Sequence, residues 1–212
     1  MVDQLEHVLA EKGADVTSDE RNLLSVAFKN LISSKRAACR TIAAIEQNPK
    51  YAKFNDALAT YKAGIEAKLQ EDCQRIIDMI NNKVLAKPCD GEPKAFFIKM
   101  VGDYYRYIAE NAKGDNLDKV KQQALAAYNE ANSINLPPCN PIKLGLAINF
   151  SVFHYEAMKN HKAAELEEGH FMVRETTEGT LAGVLPRRVP HSTSTGSETI
   201  SGDFGREINM PR

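Results

Sequence analysis

Apolar residues recur at helical spacing along almost all of residues 1–172, and no stretch sustains the two-residue alternation of a half-buried strand. The pattern predicts a short helix over about 2–12 that stops near Gly13, and a long one that ends about Gln47. A second long helix follows over about 55–86, then shorter ones over about 92–112, 116–134 and 141–160. A last helical stretch begins near His161 and weakens at Gly169. Pro49, Pro88, Pro93 and the Pro137, Pro138, Pro141 cluster fall mostly at the joints. Thr17-Ser18-Asp19-Glu20 reads as a capping box, with Thr17 as N-cap and Glu20 reaching back to its amide.

After residue 172 the pattern stops. The 40 residues from Val173 to Arg212 include 18 Ser, Thr, Gly or Pro, and their five acidic and five basic residues cancel. The expectation is an all-α domain over 1–172 and a disordered, unrelated tail over 173–212.

Composition narrows the class. At 43% hydrophobic and 26% charged, the 212 residues are too apolar for a disordered chain and too polar for a membrane protein. The longest apolar stretch, Leu144 to Phe153, is about half a span. A net charge of −1 gives no global pull toward nucleic acid or a membrane, so anion recognition has to be local. Cys39, Cys73, Cys89 and Cys139 form no CxxC pair, which argues against zinc. The charged start, MVDQLEHVLAEKGADV, has no apolar signal region, so the reading is a cytoplasmic protein with reduced thiols.

Two stripes carry candidate chemistry. On the first long helix, Lys29, Arg36 and Arg40 share one face opposite the apolar face of Leu24, Ala27, Leu31, Ala38, Ile42 and Ile45. On the helix over about 92–112, Lys99 and Arg106 share a face with Tyr107 at its edge, backed by Phe97, Val101, Tyr104 and Ile108. Each stripe alone reads equally as a solvated outer face, the second one mixed by Asp103 and Glu110. Facing one cavity, Lys29, Arg36 and Arg106 would surround a dianion, with the tyrosine hydroxyl as a further donor. A third stripe holds Gly145, Asn149, Val152 and Glu156 on the helix over about 141–160. Gly145 allows close approach of a partner backbone, and Ile148 and Val152 offer apolar contact. Asn149 either grips a peptide main chain or satisfies a buried neighbour.

These segments resemble a known family. Glu20-Arg-Asn-Leu-Leu-Ser-Val-Ala-Phe-Lys-Asn30, Lys35-Arg36 and Ile45-Glu-Gln47 are similar to the third helix of 14-3-3 proteins. Lys99-Met100 with Gly102-Asp-Tyr-Tyr-Arg-Tyr107 is similar to their fifth, and Pro141-Ile-Lys-Leu-Gly-Leu-Ala-Ile-Asn-Phe-Ser-Val-Phe153 to their seventh. The resemblance covers about residues 1–172. It implies an antiparallel helical bundle, dimerisation, and a phosphoserine- or phosphothreonine-peptide-binding adapter in signal transduction that serves phosphorylated client proteins. It assigns phosphate binding to Lys29, Arg36, Arg106 and Tyr107 and places Lys99 at the groove's edge. Gly145 lies along the same groove, Asn149 holds the ligand main chain, and Ile148 and Val152 form its apolar wall. Glu156 would tether the cations when no ligand is bound.

Three departures from the family pattern shape the expectations. Met1 matches the start of the family's second helix, residues 173–212 stand in place of the last two helices, and Cys39 occupies a familiar tryptophan position. On the fourth helix, Gly64 and Lys68 replace a familiar lysine and glutamate, which speaks against the homo- or heterodimer of the family. The expectation is therefore a phosphate pocket with an incomplete groove, and a destabilised, weakly binding product. The alternatives are a phosphate-independent helical scaffold and a non-functional truncated product. No enzyme is expected: the five histidines are scattered, Glu167-x-x-His170 has no second copy, and nothing calls for a metal or other cofactor. Ser192, downstream of Arg187-Arg188, offers a phosphorylation site able to fill the pocket in cis, against the plainer reading of an inert tail.

Overall fold

Gly13 ends the first helix. Its φ of 59° lies in the left-handed region, and its N–H donates to the Leu9 carbonyl at 2.9 Å, which closes the last turn. Four residues later the capping box opens the next helix: Glu20 N–H donates to Thr17 Oγ1 at 3.2 Å, and Thr17 N–H to Glu20 Oε2 at 2.8 Å. The computed structural model describes residues 2–159, with side chains from residue 4. The expected helical stretch from His161, Glu167 and His170, the tail over 173–212 and Ser192 all lie outside the described residues.

Six α-helices, and no strand, occur among the described residues: α1 Val2–Lys12, α2 Ser18–Glu46, α3 Asn55–Ile80, α4 Gly91–Ala109, α5 Gly114–Ser133 and α6 Pro141–Glu156. A 3₁₀ segment, Pro49–Phe54, leads into α3, and α3 runs on into a π-turn, Asn81–Leu85. The predicted helix over about 55–86 is thus one rod whose last turn widens beneath α1. There Lys87 Nζ donates to the Ala10 carbonyl at 3.3 Å, and Val84 is fully buried. α6 ends sooner than predicted. The N–H groups of Ala157 and Met158 both donate to the Phe153 carbonyl, and Lys159 turns the chain at a φ of 54°.

Ion pairs fix the helix directions. Lys35 meets Asp72 and Glu46 meets Lys62, so α2 and α3 run antiparallel. Arg21 pairs with Glu92 and Arg36 with Glu110, so α2 and α4 run parallel. α4 and α6 run parallel as well, since Gly145 lies beside Lys99 and Asn149 beside Asp103. α2, α4 and α6 therefore point the same way, with α3 opposed to them.

α4 is the centre of this arrangement. Phe97, Val101, Tyr104 and Ile108 are buried as predicted, and so are Ala95, Ile98, Met100, Tyr105, Asp103 and Arg106. The reading of its charged stripe as a solvated mixed face is overturned, because Asp103 and Arg106 are each only 8% exposed. On α2 the core face is rotated from the predicted stripe: Leu24, Ala27 and Ile42 are buried, but Leu31, Ala38 and Ile45 are only half-buried. Phe28, Ile32 and Cys39 are buried as well, which carries the core round toward the cationic side.

Candidate functional site

The α4 residues Lys99, Asp103, Arg106 and Glu110 recur at intervals of four, three and four, so they form one stripe of alternating charge. Asp103 organises its middle. Its Oδ2 accepts from Lys99 Nζ at 2.8 Å, while its Oδ1 accepts from the Tyr128 hydroxyl at 2.7 Å and from Asn149 Nδ2 at 2.8 Å. One carboxylate thereby ties α4 to α5 and α6. Arg106 Nε donates to the Tyr128 hydroxyl at 3.3 Å, which completes a path from Lys99 to Arg106.

Glu110, at the C-terminal end of the stripe, gathers the arginines. Arg36 binds it with two parallel bonds, Nε to Oε2 at 3.1 Å and a terminal nitrogen to Oε1 at 2.5 Å. Arg40 reaches its two oxygens at 3.3 and 3.4 Å, and Arg106 comes within 3.7 Å. Both Arg36 and Arg106 lie over the Tyr107 ring, with guanidinium carbons 3.9 and 4.5 Å from its centroid. Burial raises the Tyr107 pKa, with Asp103 adding to the effect, so its hydroxyl stays a proton donor at neutral pH. Burial opposes the charge on Arg106, but Tyr128, Asp103 and Tyr107 more than offset this and raise its pKa.

Arg36, Arg40, Arg106 and Glu110 open onto a cleft of about 560 Å³ whose lining also includes Cys39 and Glu156, while Tyr107 lines a neighbouring cavity of about 260 Å³ with Glu66 and Asn111. Burial lifts the Cys39 thiol pKa as well. Of the residues predicted from sequence, Arg36, Arg106 and Tyr107 therefore meet. Lys29 is exposed two turns up α2, outside the cleft lining, and pairs with no acid among the described residues. Glu156 lies exposed on the rim, and the acid that holds the cations is Glu110. Asn149 does satisfy a buried neighbour, Asp103, and among the described residues its carbonyl oxygen has no other partner. At Gly145 no backbone approaches among the described residues: the nearest atom to an added Cβ is Lys99 Cε, at 3.4 Å. Ile148 is exposed and Val152 half-buried on α6.

Sequence reasoning missed three parts of the site. Tyr128 is fully buried between Asp103 and Arg106; its only sequence signal is a tyrosine among Ala124, Ala127 and Ala131 on the apolar face of α5. Asp103 and Glu110 were visible as acids beside the stripe, but nothing local marked them as its organisers. No group of three or more metal-ligating side chains and no helix long and apolar enough to cross a membrane occurs among the described residues.

The sequence profile described as "14-3-3 protein" matches residues 1–173. The chain is 39% identical over 160 residues to "14-3-3 protein beta/alpha-1" of Oncorhynchus mykiss, covering 74% of this chain and 66% of that one. It is 40% identical over 166 residues to "14-3-3-like protein RA215" of Solanum tuberosum, covering 76% and 65%. To "14-3-3 protein theta" of Gallus gallus it is 39% identical over 160 residues, covering 74% and 65%. The chain thus spans slightly under two thirds of the length of these curated relatives.

Proposed function

Because this chain belongs to the 14-3-3 family, we propose that it is an adapter that holds phosphoserine or phosphothreonine segments of client proteins along α2, α4 and α6. One observation carries the reading. Two guanidinium groups 70 residues apart in sequence converge on one tyrosine ring, and both line an open cleft. Arg36 and Arg106 give the phosphate oxygens planar pairs of donors, and Tyr107 adds a hydroxyl. Lys29 adds a point charge from the α2 surface. Asn149 takes the peptide main chain through its carbonyl oxygen, beside Ile148 and Val152. Lys99 and Gly145 stand together at the groove's margin. The work is binding, not catalysis, and needs no cofactor. Four unpaired cysteines suit a reducing compartment, the cytoplasm.

The test is a titration of a labelled phosphoserine peptide and its unphosphorylated twin, repeated with Lys29→Glu and Arg36→Gln. The expected result is a preference for the phosphorylated peptide that both substitutions weaken. Equal affinity of the unsubstituted chain for the two peptides would rule out the phosphate-reading role.

A further inference from the structure

The cations of this site already hold a carboxylate. Glu110 fills the two-toothed edge of Arg36 at 2.5 and 3.1 Å, lies 3.3 Å from Arg40 and 3.7 Å from Arg106, and has a side chain only 18% exposed. We infer that Glu110 is a built-in competitor that sets the selectivity of the site, admitting a dianionic phosphate and turning away the carboxylates of aspartate and glutamate side chains. The inference rests on the phosphopeptide reading above and deepens it.

Charge balance gives the reason. Three guanidinium groups and one carboxylate leave two positive charges in the cluster. A phosphoserine brings nearly two negative charges and three acceptor oxygens. It can take the remaining donors of Arg36 and Arg106 with Glu110 still in place, and the ensemble is then neutral. An incoming carboxylate brings one charge and two oxygens. Displacing Glu110, it exchanges like for like against a partner that is covalently tethered and therefore at high effective concentration. Binding beside Glu110, it meets a like charge. The other ionic groups lining the cleft make it one charge less positive, but among the described residues none of them pairs with the three arginines. Lys62 is paired with Glu46 at 2.8 Å, Glu66 and Glu156 add negative charge, and Lys113 is exposed on the connection after α4.

The experiment measures the affinity of three peptides that differ at one position, phosphoserine, serine or glutamate. The full chain is compared with Glu110→Gln, Glu110→Ala and Glu110→Asp, with folding followed by helical circular dichroism. In the unsubstituted chain the phosphoserine peptide binds best and the glutamate peptide no better than serine. In the two neutral variants the glutamate peptide gains on serine, and the phosphoserine-to-glutamate ratio shrinks by about tenfold, the worth of one charge-assisted bond. Glu110→Asp keeps the charge and most of the discrimination. An unchanged ratio in either folded neutral variant overturns the inference and leaves the adapter reading standing. So does an equal loss of discrimination in Glu110→Asp, which would make the effect one of shape. A chain that folds with neither neutral residue would make Glu110 a structural residue and overturn the inference too. Absence of any phosphoserine preference in the unsubstituted chain fails the adapter reading itself, and the inference with it.

Discussion

The hydroxyl of Tyr128 donates to Oδ1 of Asp103 at 2.7 Å, inside a core where the tyrosine is fully buried and the aspartate 8% exposed. The same oxygen accepts from Asn149, and the same hydroxyl accepts from Arg106. Tyr128→Phe keeps the ring, which packs on Phe150 and Phe153 at 5.2 and 5.5 Å, and removes only the hydroxyl. The expected cost is about 1–3 kcal/mol, because two buried groups lose a partner. Urea denaturation with an unchanged m-value measures it. A loss under a few tenths of a kcal/mol would mean that water replaces the hydroxyl.

Two glycines make a paired test of packing. A Cβ at Gly102 would sit 2.9 Å from two carbons of the Tyr128 ring, and that ring has no room to retreat. Gly102→Ala is expected to cost about 1–3 kcal/mol. At Gly145 the nearest neighbour is the flexible end of Lys99, at an ordinary 3.4 Å. Gly145→Ala is therefore expected to be neutral or stabilising by up to about 1 kcal/mol, the helix propensity gain. Thermal melts of both variants decide the pair, and similar losses at both positions would contradict it.

Arg36 and Arg106 should separate binding from folding. Arg36→Gln leaves Glu110 with Arg40, so helix content should persist while phosphopeptide affinity falls by about tenfold or more. Arg106→Gln removes a buried cation from between Tyr128 and Glu110, and is expected to cost about 3 kcal/mol of stability as well. Circular dichroism and peptide titration on both variants check this. Equal stability losses would refute the division.

The cysteines predict an alkaline weakness. Burial, helped by Asp72, pushes the Cys73 thiol up to about 12 from an ordinary 9.0. Above 9.0 the unfolded chain releases a proton that the folded chain keeps. The stability that this thiol contributes is complete below that pH and is lost as pH rises from 9.0 toward about 12. Melting temperature should fall across that window, and less so in Cys73→Ala measured against its own value at pH 7. A thiol reagent at neutral pH should label exposed Cys139 fastest and half-buried Cys89 next. Cys39 and Cys73 should react only on unfolding.

Helix existence was legible because apolar spacing and caps are local. The Thr17–Glu20 box, the stop at Gly13 and Pro141 opening α6 behind Asn140, whose side chain accepts from two amides, all stand where the pattern put them. The cationic stripe of α2 was legible for the same reason. Its destination was not. That Arg36 and Arg106 share a ring follows from α2 and α4 running parallel, which no residue on either helix states alone. The family resemblance supplied the destination. Burial of Asp103 and the capture of three arginines by Glu110 stayed hidden, because a periodic pattern cannot tell a charged stripe facing water from one facing two other helices. The widened turn at Asn81–Leu85 was missed because a π-turn leaves no mark in apolar spacing.

Tyr107 has a part in two structures at once. Its ring lies beneath both guanidinium groups and meets the ring of Tyr104, 3% exposed, edge-on at 5.6 Å. The floor of the site is therefore the ceiling of the core. On the adapter reading, a bound client would act as a clamp, raising the melting temperature with the logarithm of its concentration. The converse also holds. A molecule softened by heat would let its two arginines drift apart and drop its cargo while most of its helices were still intact.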